Sequence, residues 1–157
     1  MKTRLVACTL SLALAASVAA SSAVAQIRVS RQADRCLTAQ AMGPGLSATG
    51  DLSGAENDSN ERIDATGYAW QGRDHFFSIV LRGGQTVTIS LVEQGGWDGG
   101  LYVFRSCAGI NATTVGGLDT TATTPLRFTA PTTGRYLIAV DASRRNTGAG
   151  YVLTISR

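Results

Sequence analysis

The chain has 157 residues, of which 44% are hydrophobic, 16% charged and 6% aromatic, with 18 glycines and three prolines; this is the composition of neither a disordered tail nor a collagen-like repeat. Fourteen basic residues stand against 11 acidic ones, and two of the bases, Lys2 and Arg4, lie in an apolar leader. The remainder is close to neutral, which excludes a nucleic-acid protein with its concentrated basic face, and its length suits one compact domain.

Met1 to Ala25 carries the two cations, then an apolar run from Leu5 to Ala20, then the small residues Ser21, Ser22, Ala23, Val24 and Ala25 just before Gln26. This order predicts a secretory signal peptide cleaved after Ala25. A membrane span would need about 20 predominantly apolar residues, more than the run supplies. Cys8 is not a lipoprotein site, because the apolar run follows it instead of preceding it. The expected organisation is a signal peptide over 1–25, a short N-terminal segment over 26–35 and a single β-sandwich over 36–157. The expected location is the periplasm or the medium of a bacterium.

Without the leader, Cys36 and Cys107 are the only cysteines, in a chain bound for an oxidising compartment. The single possible intrachain pair is expected to form; two buried unpaired thiols are the alternative. The same stretch holds 12 arginines and no lysine. Arg144 and Arg145, the one adjacent pair, read as a solvated loop between strands.

Residues 43–74 are rich in glycine, serine, asparagine and acids. Between Asp51 and Asp64 lie five acids (Asp51, Glu56, Asp58, Glu61, Asp64) against one base, Arg62. From Phe76 onward the pattern changes to period two, the mark of strands with one buried face. Phe77, Ile79 and Leu81 share a face; after Gly83 and Gly84, so do Val87, Ile89 and Leu91, which together predict a β-hairpin with a glycine turn. Leu101 to Arg105 resumes as a strand. Leu126 and Phe128 precede a turn over Pro131 to Gly134, Tyr136, Ile138 and Val140 line the next strand, and Tyr151, Leu153 and Ile155 the last. No stretch of similar length has helical spacing with caps, so the prediction is all-β: a jelly-roll-like, two-sheet antiparallel sandwich.

Several motifs resemble those of the bacterial pre-peptidase C-terminal domain. Asp74, His75, Phe76 and Phe77 with Gly84, Gln85, Val87 and Ile89 look like its aromatic strand, turn and Gly-Gln strand. Asp98, Leu101, Tyr102 and Val103 are similar to its Asp-x-x-Leu-Tyr strand, Gly134 and Tyr136 to its Gly-x-Tyr turn, and Gly150, Tyr151 and Leu153 to its closing strand. The resemblance covers roughly residues 72 to 156. It implies a jelly-roll-like sandwich of the kind attached to secreted peptidases, here as a stand-alone copy. It also implies Ca²⁺ sites of the kind that collagen-binding relatives build from acids, an Asn-Asp pair and an Asp ahead of the aromatic pair, with Asn57, Asp58 and Asp74 in the matching positions; Gln71 stands where those relatives carry a further acid.

Calcium takes six to eight oxygens on flexible loops, and Asp51, Glu56, Asn57, Asp58 and Asp74 form the candidate set. The other reading of these acids is a solvated loop, with Asp74 bonding nearby backbone N–H groups. Nucleophilic hydrolysis needs a nucleophile beside a base; His75 is the only histidine and is expected at the surface or rim. Trp70, Trp97, Tyr68 and Tyr102 fall near strand ends, where they could grip a ligand or plug the ends of the sandwich. The expectation is a secreted, non-catalytic binding module for an extracellular protein or polysaccharide, with Ca²⁺ as a candidate cofactor and no nucleic-acid partner or membrane span. A trans-acting accessory or inhibitor of an extracellular peptidase is the alternative, and an unrecognised hydrolase the third.

Overall fold

The computed structural model describes residues 24–119, 124–143 and 150–157; the leader up to residue 23 and the Arg144–Arg145 pair lie outside the described residues. In chain order the strands are β1 (Ala25–Arg28), β2 (Gln40–Ala41), β3 (Leu46–Asp51), β4 (Arg62–Ile63), β5 (Tyr68–Leu81), β6 (Thr86–Glu93), β7 (Gly99–Phe104), β8 (Thr114–Asp119), β9 (Leu126–Thr129), β10 (Gly134–Ser143) and β11 (Gly150–Ser156). They form a sandwich of a five-stranded sheet ordered β1-β3-β11-β6-β9 and a six-stranded sheet ordered β2-β5-β10-β7-β8, with β4 paired to β5. The pairing is mostly antiparallel, as expected. Two edge pairs, β1 with β3 and β2 with β5, are parallel, so both sheets are mixed. Ala25, the expected last residue of the leader, is the first residue of β1.

The turn at Gly83 and Gly84 is not a hairpin. β5 pairs with β2, β4 and β10, whereas β6 lies in the other sheet between β11 and β9. Period two tells which face of a strand is buried, but a strand across the core satisfies it as well as a strand alongside. The corner is fixed from outside itself: Gly84 N–H donates to Ala130 O at 2.8 Å, Ala130 N–H to Gln85 O at 2.9 Å and Gly83 N–H to Thr133 Oγ1 at 2.8 Å. Residues 130–133 also cross between the sheets, from β9 to β10, so the two crossings brace each other. Gly84 adopts φ 78°, a conformation glycine takes without the Cβ penalty.

The main core between the sheets takes Phe77, Ile79 and Leu81 from β5, Val87 and Ile89 from β6, Tyr136, Ile138 and Val140 from β10, and Tyr151, Leu153 and Ile155 from β11. These are the alternating residues the sequence predicts. The second sheet is buried on its other face too. There Trp70, Phe76, Tyr102, Phe104, Leu137 and Ala139 pack with Cys36, Ala39, Ile63 and Ile110, residues brought by turns and by the α-helical turn Ile110–Thr113. The Cys36–Cys107 disulfide, with Cα atoms 5.8 Å apart, ties two of these covering segments together.

The two tryptophans occupy opposite faces of β7. Trp97 lies in the main core and Trp70 in the second. A Cβ on Gly99 would run into the Trp97 ring, and one on Gly100 into the Trp70 ring, so adjacent glycines seat one indole on each side of the strand. Gly100→Ala is expected to destabilise the protein by about 1–3 kcal/mol through overpacking, whereas Gly116→Ala, with its nearest neighbour 3.7 Å away, is expected to change stability far less; urea midpoints of the two variants test this. Opening the disulfide, whose cysteines are 71 residues apart, is expected to lower the unfolding free energy by about 4 kcal/mol, measured by denaturant unfolding with and without reductant.

Candidate functional site

The acidic segment does not gather into a metal centre. Asp51 Oδ1 accepts from Ser53 N–H at 2.7 Å, capping the short turn Leu52–Gly54; these bonds to Ser53 hold its carboxyl below the usual carboxylate range. Glu56 pairs with Arg35 at 3.3 Å, both side chains exposed. Asn57 Nδ2 donates to Gln71 O at 2.9 Å and to Asn60 Oδ1 at 3.0 Å. Asp58 contributes its backbone, its N–H donating to Asp74 Oδ2 at 3.1 Å, and the Ser59 N–H reaches the same oxygen at 2.7 Å. Asp51, Glu56 and Asn57 thus have separate structural tasks, Asp58 remains exposed, and Asp74 alone of the five is buried. Among the described residues no three His, Cys, Asp or Glu side chains are placed to hold a metal.

Asp74 has a different carboxylate companion. It sits directly opposite Asp141 of β10 in register, and both are 0% exposed. Asp141 Oδ2 accepts from Tyr102 Oη at 2.7 Å, and that hydroxyl lies 3.0 Å from Ser59 Oγ. The remaining oxygens, Asp74 Oδ1 and Asp141 Oδ1, are buried without hydrogen-bond partners. Burial pushes Asp74 up to about 7, with the charges of Asp58 and Asp34 adding to it. Burial and then the charge of Asp74 push Asp141 well above the carboxylate range. The signal for Asp141 was present in the sequence: it is a charge that interrupts the apolar run from Tyr136 to Ala142.

A cleft of about 970 Å³ opens beside β1 and β3, lined by residues that include Gln26, Arg28, Arg31, Asp34, Thr49, Asp51, Gly54, His75 and Gln94. His75, expected at the surface or rim, lines this cleft but is largely buried, since β5 is covered on both faces here and the residue is 7% exposed. Its Nδ1 lies 2.8 Å from Tyr151 Oη. Tyr151 pairs with Gly50 across β11 and β3, and the absence of a Cβ on Gly50 leaves room for the tyrosine ring. Burial lowers the His75 pKa, opposed by the charges of Asp34 and Asp51. Those two acids are themselves engaged, Asp34 Oδ1 accepting from Glu56 N–H at 2.8 Å and Asp51 capping its turn. Among the described residues the side-chain hydrogen bond of His75 is the one between Nδ1 and this tyrosine.

The candidate binding aromatics also need correction. Trp70, Trp97 and Tyr102 are 1%, 4% and 0% exposed, because both faces of the second sheet are covered and large rings fill them. Tyr68 alone of the four reaches solvent, at 55%, with its ring 5.9 Å from that of Trp70.

No protein-family model matches the chain, and no curated protein matches it in sequence. Solved structures do. The pre-peptidase C-terminal domain of a collagenase from Bacillus anthracis superimposes with a TM-score of 0.54 at 13% identity, over 75% of this chain and 94% of that one. The likeness is one of fold. PliG of Aeromonas hydrophila, a periplasmic inhibitor of g-type lysozyme, gives a TM-score of 0.46 at 19% identity over 84% of this chain and 95% of that chain. CorA, a surface-associated copper-binding protein of Methylomicrobium album BG8, gives 0.44 at 13% identity over 75% and 98%.

Two outcomes follow from the His75 environment. Tyr151→Phe removes the partner of a buried ring nitrogen and is expected to cost about 1–3 kcal/mol, measured by chemical denaturation. Because the folded imidazole has a pKa below its unfolded value near 6.5, the unfolded chain binds the extra proton. His75 therefore contributes stability that is complete above that pH and lost as the pH falls through the folded pKa; an NMR titration of the single imidazole is expected to give a midpoint below 6.5.

Proposed function

We propose that this chain is an exported, non-catalytic β-sandwich module that binds a polar extracellular ligand, a protein or polysaccharide surface, in the cleft beside β1 and β3. The cleft is the observation that supports this reading. Its lining includes Arg28, Arg31, Asp34, Asp51, Gln26, Gln94 and Thr49, and polar residues around a preformed concavity favour ligand binding. The strands and the short capped turn behind them hold these donors and acceptors in place. The disulfide fits an oxidising compartment, in line with the leader read from the sequence.

Gly54 provides the test. It lines the cleft, and a Cβ there meets nothing within 4 Å, so Gly54→Trp fills the opening without disturbing the core. The protein from Gln26 onward is expected to be retained on at least one of insoluble collagen, chitin and bacterial cell wall, with Gly54→Trp losing at least tenfold in retention at an unchanged thermal midpoint. Retention of both proteins alike, or of neither, counts against the cleft as the binding site for these materials.

A further inference from the structure

The first sheet turns Ile89, Leu153 and Ile155 into the core, so alternation along the strands sends Ser90, Val152, Thr154 and Ser156 outward. Register lines the outward side chains into rows across the strands. One row runs from Gln26 on β1 through Ser47 and Thr154 to Ser90 on β6, and its neighbour runs from Arg28 through Thr49 and Val152 to Val92. A third joins Ser156, Thr88 and Arg127. Hydroxyls dominate these rows, and several are held by one another: Ser47 Oγ lies 3.1 Å from Thr154 Oγ1, Thr86 Oγ1 lies 2.8 Å from Thr129 Oγ1, and Gln26 Nε2 donates to Thr49 Oγ1 at 2.6 Å. Val92, 59% exposed, and its partner Val152 supply the apolar part. The rows run into the cleft, whose lining includes Gln26, Arg28 and Thr49.

Charge in these three rows is confined to the two edges of the sheet, Arg28 on β1 and Arg127 on β9. Arg31 also lines the cleft. Among the described residues the ion pairs are Arg35 with Glu56 and Arg62 with Asp64, so Arg28, Arg31 and Arg127 have no acidic partner there. Asp34 and Asp51 line the cleft too, but each already accepts a backbone N–H, from Glu56 and from Ser53. The edge of β1 does not suit an added protein strand: Ser30 N–H donates to Gln40 Oε1 at 2.7 Å and Gln40 Nε2 donates to Arg28 O at 3.1 Å, so one side-chain amide takes groups a partner backbone would need. Protein interfaces centre on large aromatic anchors, and these rows carry hydroxyls and valines instead.

We propose, resting on the cleft reading above, that this face and the cleft together bind an acidic polysaccharide, with its carboxylates on Arg28, Arg31 and Arg127 and its sugar hydroxyls on the rows between. The planar guanidinium fork matches a carboxylate. Serine and threonine hydroxyls both donate and accept, as sugar hydroxyls do. From β1 to β9 the sheet order is β1-β3-β11-β6-β9, four strand spacings or about 20 Å, so a chain of several sugars is needed to span the edge arginines.

Affinity electrophoresis of the protein from Gln26 onward, in gels containing polygalacturonate or neutral dextran, tests this. Polygalacturonate is expected to retard the wild type, and dextran to leave its mobility unchanged. Arg127→Gln, outside the cleft, and Thr154→Glu, in the middle of the face, are each expected to weaken the interaction about tenfold at an unchanged thermal midpoint, as is Arg28→Gln at the cleft end. Arg127 is exposed and has no ion pair among the described residues, so its variant decides the matter even if Thr154→Glu lowers the midpoint. A wild type that polygalacturonate does not retard would overturn the proposal; retention on chitin or cell wall that Gly54→Trp abolishes would still uphold the cleft. Retardation lost in Gly54→Trp but intact in Arg127→Gln and Thr154→Glu would likewise keep the cleft and remove the face. Displacement by polyglutamate or dextran sulfate as readily as by polygalacturonate of equal charge would also overturn the proposal, since charge alone would then be read.

Discussion

The second sheet is covered on both faces, and most of the molecule follows from that constraint. Its strands β5, β7 and β10 carry apolar side chains in both directions, Phe77 and Val103 inward, Phe76 and Phe104 outward. A sheet that is hydrophobic on two sides needs two partners. The first sheet is one. The other is a layer of short turns, the β4 strand and a helical turn, stapled through Cys36 and Cys107. Backbone and side-chain polar groups under such a cover have no water to turn to, which explains why residues 57–59, Tyr102 and the two aspartates are bound into one network.

The legible part of this fold lay in the residues from Phe76 onward. Strict alternation in β6, β10 and β11 placed Val87, Ile89, Tyr136, Ile138, Leu153 and Ile155 in the core where the structure has them. Alternation speaks only of faces, however, and so the crossing at Gly83–Gly84 passed for a hairpin. Strands β1 to β4 escaped notice because they are short or polar; β3 reads Leu-Ser-Ala-Thr-Gly-Asp, and its residues are chosen for pairing and for room under Tyr151. The disulfide was legible by elimination, since two cysteines allow one bridge.

The site was less legible, for a physical reason. An acidic cluster in sequence fixes local charge but not direction, and Asp51, Glu56 and Asn57 each found a nearby backbone or side-chain partner before they could converge. Asp141 lies far along the chain from Asp74, and only sheet register joins them. The aromatics misled for the converse reason. Trp70, Trp97 and Tyr102 sit near strand ends in the sequence, but a doubly covered sheet has interior space there, and rings of that size fill it.

The arrangement of Trp97 and Trp70 on either side of Gly99 and Gly100 gives the molecule two built-in optical reporters. Each indole belongs to a separate packing cluster, yet the two press against consecutive residues of one strand. Emission from Trp97 follows the apposition of the two sheets, and emission from Trp70 follows the outer cover and its disulfide. If the cover peels away before the sheets part, the two signals separate in time or in denaturant; if the strand transmits the loss at once, they move together. The same pair of glycines thus makes the cooperativity between the two layers visible as fluorescence, without any added label.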